Sequence, residues 1–178
     1  MSQNTIKSKT VSFRVPEHII TEVEKDAKTK LISTNVLINQ ILLDYISWHR
    51  YQKRMRTFQI SEEALVYFLD SMNESQRNEA TEIAFNSLRD WVLVSKKKFD
   101  LHSCLEALED YCRLAGISVE DSLRSGDHSF VVRHNLSANA SLFISEFIKK
   151  IFWEIKKVNL ETQLTKTTVI SKPLSRID

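Results

Sequence analysis

The residue types able to bind a metal or carry a reaction gather in the second half of the sequence, as His102, Cys104, Cys112, His128 and His134. Cys104 and Cys112 lie eight residues apart on the apolar stripe of one expected helix, where a thiol behaves as a small buried apolar group. His128 and His134 share one face of one expected strand, but six residues at ~3.3 Å each set them about 20 Å apart. His102 and Cys104 stand two positions apart at a helix start and point away from each other. No metal site and no cofactor are expected from this set. Asp127-His128-Ser129 has the residue types of a catalytic triad, yet triads are assembled in space, not from consecutive residues. The acid pairs Glu62-Glu63, Glu109-Asp110 and Glu120-Asp121 and the run Lys96-Lys97-Lys98 read as solvated surface. Gly116 and Gly126 are the only glycines, so neither GxGxxG nor GxxxxGK[ST] can be written, and there is no HExxH. An enzyme is not expected.

One short stretch does place polar side chains on a common surface. In Lys9-Thr10-Val11-Ser12-Phe13-Arg14-Val15 polar and apolar residues alternate, so a strand would turn Val11, Phe13 and Val15 to one side and Thr10, Ser12 and Arg14 to the other. Pro16 ends the strand and suits the first position of a helix, with Glu17 in its first turn. Ile19, Ile20, Val23, Ala27 and Leu31 recur at helical spacing. Ser33-Thr34-Asn35 offers three N-capping side chains, and Val36, Leu37, Ile38, Ile41, Leu42, Tyr45 and Ile46 follow at helical spacing again. The order is strand, helix, turn, helix.

A lone strand needs both a pairing partner and cover for its apolar face. No second strand signal precedes residue 57. The expected solution is a homodimer with the two strands antiparallel across a two-fold axis and Val11, Phe13, Val15, Ile38 and Leu42 in its core. A two-stranded ribbon of that kind fits the major groove of DNA.

Thr-Val-Ser-Phe-Arg-Val-Pro-Glu, a helix, Ile-Ser-Thr-Asn and a second apolar helix resemble the ribbon-helix-helix DNA-binding domain of Arc- and MetJ-type repressors over residues 8–50. The resemblance implies base contacts from Thr10, Ser12 and Arg14, and phosphate contacts from Lys9, Ser33, Thr34 and Asn35. Both suit the chemistry. Arginine forks onto guanine, serine and threonine are permissive readers, and a helix N-terminus attracts phosphate. One departure stands out: such domains usually end the first helix with Gly or Asn, and here Lys30-Leu31-Ile32 suggests a wider turn.

Composition supports a helical, soluble reading. The 178 residues are 42% hydrophobic and 27% charged, with only 2 Gly and 2 Pro. Few glycines argue against a chain of many tight turns. Without an apolar leader or a run near ~18 apolar residues, the expected location is the cytoplasm, with no membrane. The net charge is +2, but residues 1–57 hold ten Lys/Arg and five acids, which suggests an anionic partner for that part.

Residues 47–57, Trp48-His49-Arg50-Tyr51-Gln52-Lys53-Arg54-Met55-Arg56 within them, read as a helical connector. Beyond it, helices are expected over Leu65–Met72 (opened by Ser61), Ala80–Val92 (after Ser75), Leu101–Ala115 (stopped by Gly116) and Ile144–Ile155. Strands are expected at Ile117–Leu123 and His128–His134 around Ser125-Gly126-Asp127, with a final strand over Glu161–Ser171 and a tail carrying Pro173. The expected fold class is thus α+β and mostly helical: an N-terminal ribbon-helix-helix (β-α-α) domain, 1–57, and a C-terminal α+β domain, 58–178, of about four helices and two to three strands. The arrangement is similar to that of nickel-responsive repressors, although the His and Cys spacings differ from theirs.

The expected function is a dimeric, sequence-specific DNA-binding transcriptional regulator whose partners are double-stranded DNA, a second copy or a higher oligomer, and an unidentified effector or protein for the C-terminal domain. The alternative is an antitoxin-like DNA-binding autoregulator whose C-terminal domain binds a protein. Such proteins usually carry a flexible tail rather than a folded domain.

Overall fold

Every long helix of the second half starts at a side chain that accepts a backbone N–H, and these caps frame the architecture. The computed structural model describes residues 8–55, 57–124 and 127–174. In chain order the elements are α1 (Glu17–Thr29), α2 (Thr34–Asp44), a π-helical turn (Tyr45–His49), α3 (Arg50–Met55), α4 (Glu62–Ser71), α5 (Glu74–Ser95), α6 (Leu101–Leu114), β1 (Ser118–Arg124), β2 (Asp127–Arg133), α7 (Ala138–Lys156), β3 (Leu160–Leu164) and β4 (Thr168–Pro173). Two compact units divide the chain, residues 1–43 and 44–178.

The expected N-terminal β-α-α order is not what forms. Residues 8–16 are in neither helix nor strand, and all strands among the described residues come after the helices of the first hundred positions. The reason is the lack of a partner: backbone N–H and C=O groups make a strand only against another strand, and among the described residues none lies near 9–15 in the chain. Pro16 sits one residue before α1, its carbonyl accepting the N–H groups of Ile19 and Ile20 at 3.0 and 3.2 Å.

In the second unit Ser61 accepts the N–H of Ala64 and opens α4, as its sequence signal suggests. α5 starts earlier than expected. Asn73, not Ser75, is its cap, and Gln76 reaches back to the Asn73 N–H to close a capping box. Asp100 and Ser137 cap α6 and α7. α6 ends where Gly116, at φ +70°, takes the left-handed conformation. The N–H of Ile117 bonds the carbonyl of Cys112 and that of Gly116 the carbonyl of Arg113.

The strands form one antiparallel sheet of order β1-β2-β4-β3. The expected final strand is two strands, β3 and β4, and Pro173 belongs to β4 rather than to a tail. The turn between them, Thr165-Lys166-Thr167, closes through Thr165 N–H to the Thr168 carbonyl and Thr167 N–H to Thr165 Oγ1. It contains neither Gly nor Pro, so the sequence carries no signal for it. The expected turn at Ser125-Gly126 lies outside the described residues.

On the inner face of the sheet Phe130, Val132 and Val169 are buried with Cys104, Leu108, Cys112, Ile148, Ile151 and Phe152 of α6 and α7. Arg77 of α5 donates through Nε to both carboxylate oxygens of Glu146 on α7, each at 2.9 Å. The segment 47–55 belongs to this core as well. Trp48 stacks on Trp91 of α5 with ring centroids 3.7 Å apart, and Tyr51 meets the same indole edge-on at 5.9 Å. Arg113 of α6 bonds Asp44, Ser47 and Asp110, which fixes the π-helical turn to α6. Among the described residues no helix is long and apolar enough to cross a membrane.

A boundary after residue 43 and one after residue 57 predict different fragments. The fragment 44–178 keeps Trp48 and Tyr51 on Trp91, whereas 58–178 strips one side of that nearly buried indole. Removing aromatic partners of this size costs on the order of 2–4 kcal/mol. The shorter fragment should therefore melt several degrees lower in a thermal scan followed by circular dichroism. Equal midpoints would put the boundary at 57.

Candidate nucleic-acid interface

The first unit buries little of its own. Of its described apolar side chains only Ala27 and Leu37 are buried, while Val11 and Phe13 are 65% and 61% exposed and Val15, Ile19, Val36, Ile41 and Leu42 are exposed too. Of the residues expected in a dimer core, Val11, Phe13, Val15 and Leu42 are thus open to solvent in the single chain, and Ile38 is half-buried. Lys9, Thr10, Ser12 and Arg14 are exposed.

The turn between α1 and α2 is tighter than its composition suggests. Ile32 N–H bonds the Ala27 carbonyl and Leu31 N–H the Lys28 carbonyl, both at 3.0 Å. This is the closure that ends α6 at Gly116, but here the left-handed residue is Leu31, at φ +55°. It leaves Ser33 to cap α2, its Oγ accepting the Val36 N–H at 3.2 Å. The N–H groups of Thr34 and Asn35, first in the helix, have no intrahelical acceptor. Ser33 and Asn35 are exposed and Thr34 is half-buried, so this helix end is open to an anion. The basic excess is shared between the units: Arg50, Lys53, Arg54 and Arg56 fall in the second, where Arg50, Lys53 and Arg54 are exposed and Arg50 lies over the Tyr51 ring.

Elsewhere the chemistry-bearing residues are occupied structurally. Burial pushes the thiols of Cys104 and Cys112 up to about 12, so both stay protonated in the core. No group of three or more His, Cys, Asp or Glu among the described residues could hold a metal ion. His102 pairs with Glu106 on its own helix. The side chains of Asp127 and His128 lie outside the described residues. Glu62 and Glu63 are exposed in the first turn of α4, and Glu120 pairs with Arg133 at 2.6 Å. Desolvation, then neighbouring carboxylates, raise the Glu109 carboxyl above its ordinary range, whereas Asp110 pairs with Lys96 and Arg113. The lysine run is partly neutralised, Lys96 by Glu106 and Asp110, and Lys98 by Asp100.

One pairing had no sequence signal. His134 and Ser141, seven residues apart across a loop, are both buried and meet at 3.0 Å. The Leu136 N–H donates to His134 Nδ1, so the ring proton sits on Nε2 and is given to Ser141 Oγ, which donates to the Lys166 carbonyl. A serine that receives the imidazole proton is not activated for attack. The pair ties β2, α7 and the β3–β4 turn together. No protein-family model matches the chain, and no curated protein does.

Two outcomes follow from this geometry. A left-handed leucine costs about 1–2 kcal/mol and a glycine costs less there, so Leu31→Gly should stabilise the chain by up to about 1 kcal/mol in urea titration and Leu31→Val should destabilise it. His134 is the second case. Burial lowers its protonation from the usual 6.5. As pH falls below 6.5 the unfolded chain takes up a proton that the folded one refuses, so stability declines with falling pH, by at most about 1.4 kcal/mol per unit. In urea titrations at pH 8, 6.5 and 5.5, His134→Gln should be less stable at pH 8 and show a shallower decline.

Proposed function

We propose that the chain is a cytoplasmic, homodimeric, sequence-specific DNA-binding transcriptional regulator. The observation that carries this reading is the uncovered apolar side chains of residues 9–15: Val11, Phe13 and Val15 are exposed in a unit whose described residues bury only Ala27 and Leu37. A unit of this size seldom stands alone with so little buried surface. A second copy supplies what is missing. The apolar side chains of residues 9–15 gain the cover of both copies' helices. Thr10, Ser12 and Arg14 of each copy then offer polar side chains to the major groove.

In this reading Arg14 recognises guanine through O6 and N7, and Thr10 and Ser12 add permissive contacts. Lys9 and the open N–H groups at Ser33-Thr34-Asn35 hold backbone phosphate and set the register. The likeness of residues 8–50 to ribbon-helix-helix repressors supports the same roles. The second unit, with its own core of α5–α7 and a sheet, suits regulation better than the flexible tail of an antitoxin. No catalytic step is assigned to it.

Selection of bound sequences from random DNA by the full chain should yield a preferred site. Arg14→Ala should then lose on the order of 1–3 kcal/mol per guanine contact and relax preference at that base pair, with little change in melting temperature. Phe13→Ala should lower a concentration-dependent melting midpoint before it alters specificity. A folded monomer at sub-micromolar concentration, or an Arg14→Ala variant with an unchanged ratio of specific to random binding, overturns the proposal.

A further inference from the structure

The second unit contains a cavity of about 300 Å³ where the inner face of the sheet meets the start of α6 and the end of α7. Leu101, Leu105, Phe130 and Phe152 supply apolar wall, and Ser171 of β4 lies among them. The Ser171 hydroxyl is a buried side-chain polar atom without a hydrogen-bond partner. Its neighbours in the sheet do not satisfy it. Phe130 stands opposite on β2, and Thr162 opposite on β3 accepts a hydrogen bond from Ser145 of α7 instead. An unpaired hydroxyl in an apolar wall is unfavourable, whereas alanine would occupy the same place at no such cost. His102 and Ser129 also line it, and at the rim Asp121 and Lys156 bring charges of both signs, which favours no net charge in an occupant.

We propose that this cavity binds a small neutral aromatic molecule that carries one hydrogen-bonding group, its ring against Phe130, Phe152 and the two leucines and its polar group on the Ser171 hydroxyl. Size sets the class. A dry cavity of about 150 Å³ takes benzene, so twice that volume takes two fused rings. Mostly apolar walls with a few placed polar groups are the usual make-up of a site for such a molecule. The inference stands apart from DNA binding, since the walls belong to the second unit alone.

Indole is a suitable probe, with 1-methylindole as the same shape lacking the N–H. Calorimetric titration of the full chain should show saturable binding of one indole per chain and a raised melting temperature. Ser171→Ala, which removes no existing hydrogen bond, should fold at least as well, bind indole ~fivefold more weakly and bind 1-methylindole unchanged. Leu105→Trp, which fills the cavity, should abolish binding of both probes. Absence of saturable indole binding at millimolar concentration overturns the proposal. So does binding that Ser171→Ala leaves unaltered, because the orphan hydroxyl would then have no part in recognition.

Discussion

Val132 of β2 and Val169 of β4 stand directly opposite each other and are almost wholly shut off from water. The second unit is organised around that pair. The two strands are 35 or more residues apart in the chain, and what brings them together is α7, whose Ile148, Ile151 and Phe152 lie in the same core. Hydrophobic burial of this kind is non-directional, so the register has to come from elsewhere. It comes from the strand ladder and from polar ties at its margin, His134 N–H to the Thr167 carbonyl and the His134–Ser141 pair, while Arg77 on Glu146 joins α5 to α7. Each of these satisfies a group that burial would otherwise penalise.

The first unit faces the same requirement and does not meet it within one chain. Its two helices have good local reasons to form: apolar residues at helical spacing, a Ser33 cap, and a doubly bonded turn at Leu31 and Ile32. Local reasons order the helices but do not hide Val11, Phe13 or Leu42. The exposed apolar side chains of this unit and the filled core of the other are two outcomes of one constraint.

The titratable groups follow from packing too. Cys104 and Cys112 are held as neutral thiols because desolvation penalises the thiolate, and His134 stays neutral for the same reason. At the helix surfaces Lys96 pairs with Glu106 and Asp110, and Lys150 with Glu82. Against that background the unpaired hydroxyl of Ser171 stands out, since nearly every other buried polar side chain here has a partner.

Caps and periodicity are local, and they were legible: Ser61 before α4, Gly116 after α6, the apolar stripes of α1, α6 and α7, and the β1–β2 pairing on either side of Ser125-Gly126. The alternation of residues 9–15 suggested a half-buried strand and misled, because a pattern does not make a strand without hydrogen-bonding partners and the described residues offer none; every side chain from 8 to 19 is exposed. Long-range packing decided the rest. That Trp48 and Tyr51 cover Trp91 rather than reach for an anionic partner, that one Thr-rich stretch folds back as β3 and β4, and that His134 finds Ser141 all depend on which surfaces meet. Leu31 shows the same limit at short range. A left-handed leucine is unfavourable by itself, and it is adopted because two backbone hydrogen bonds and the start of α2 require it.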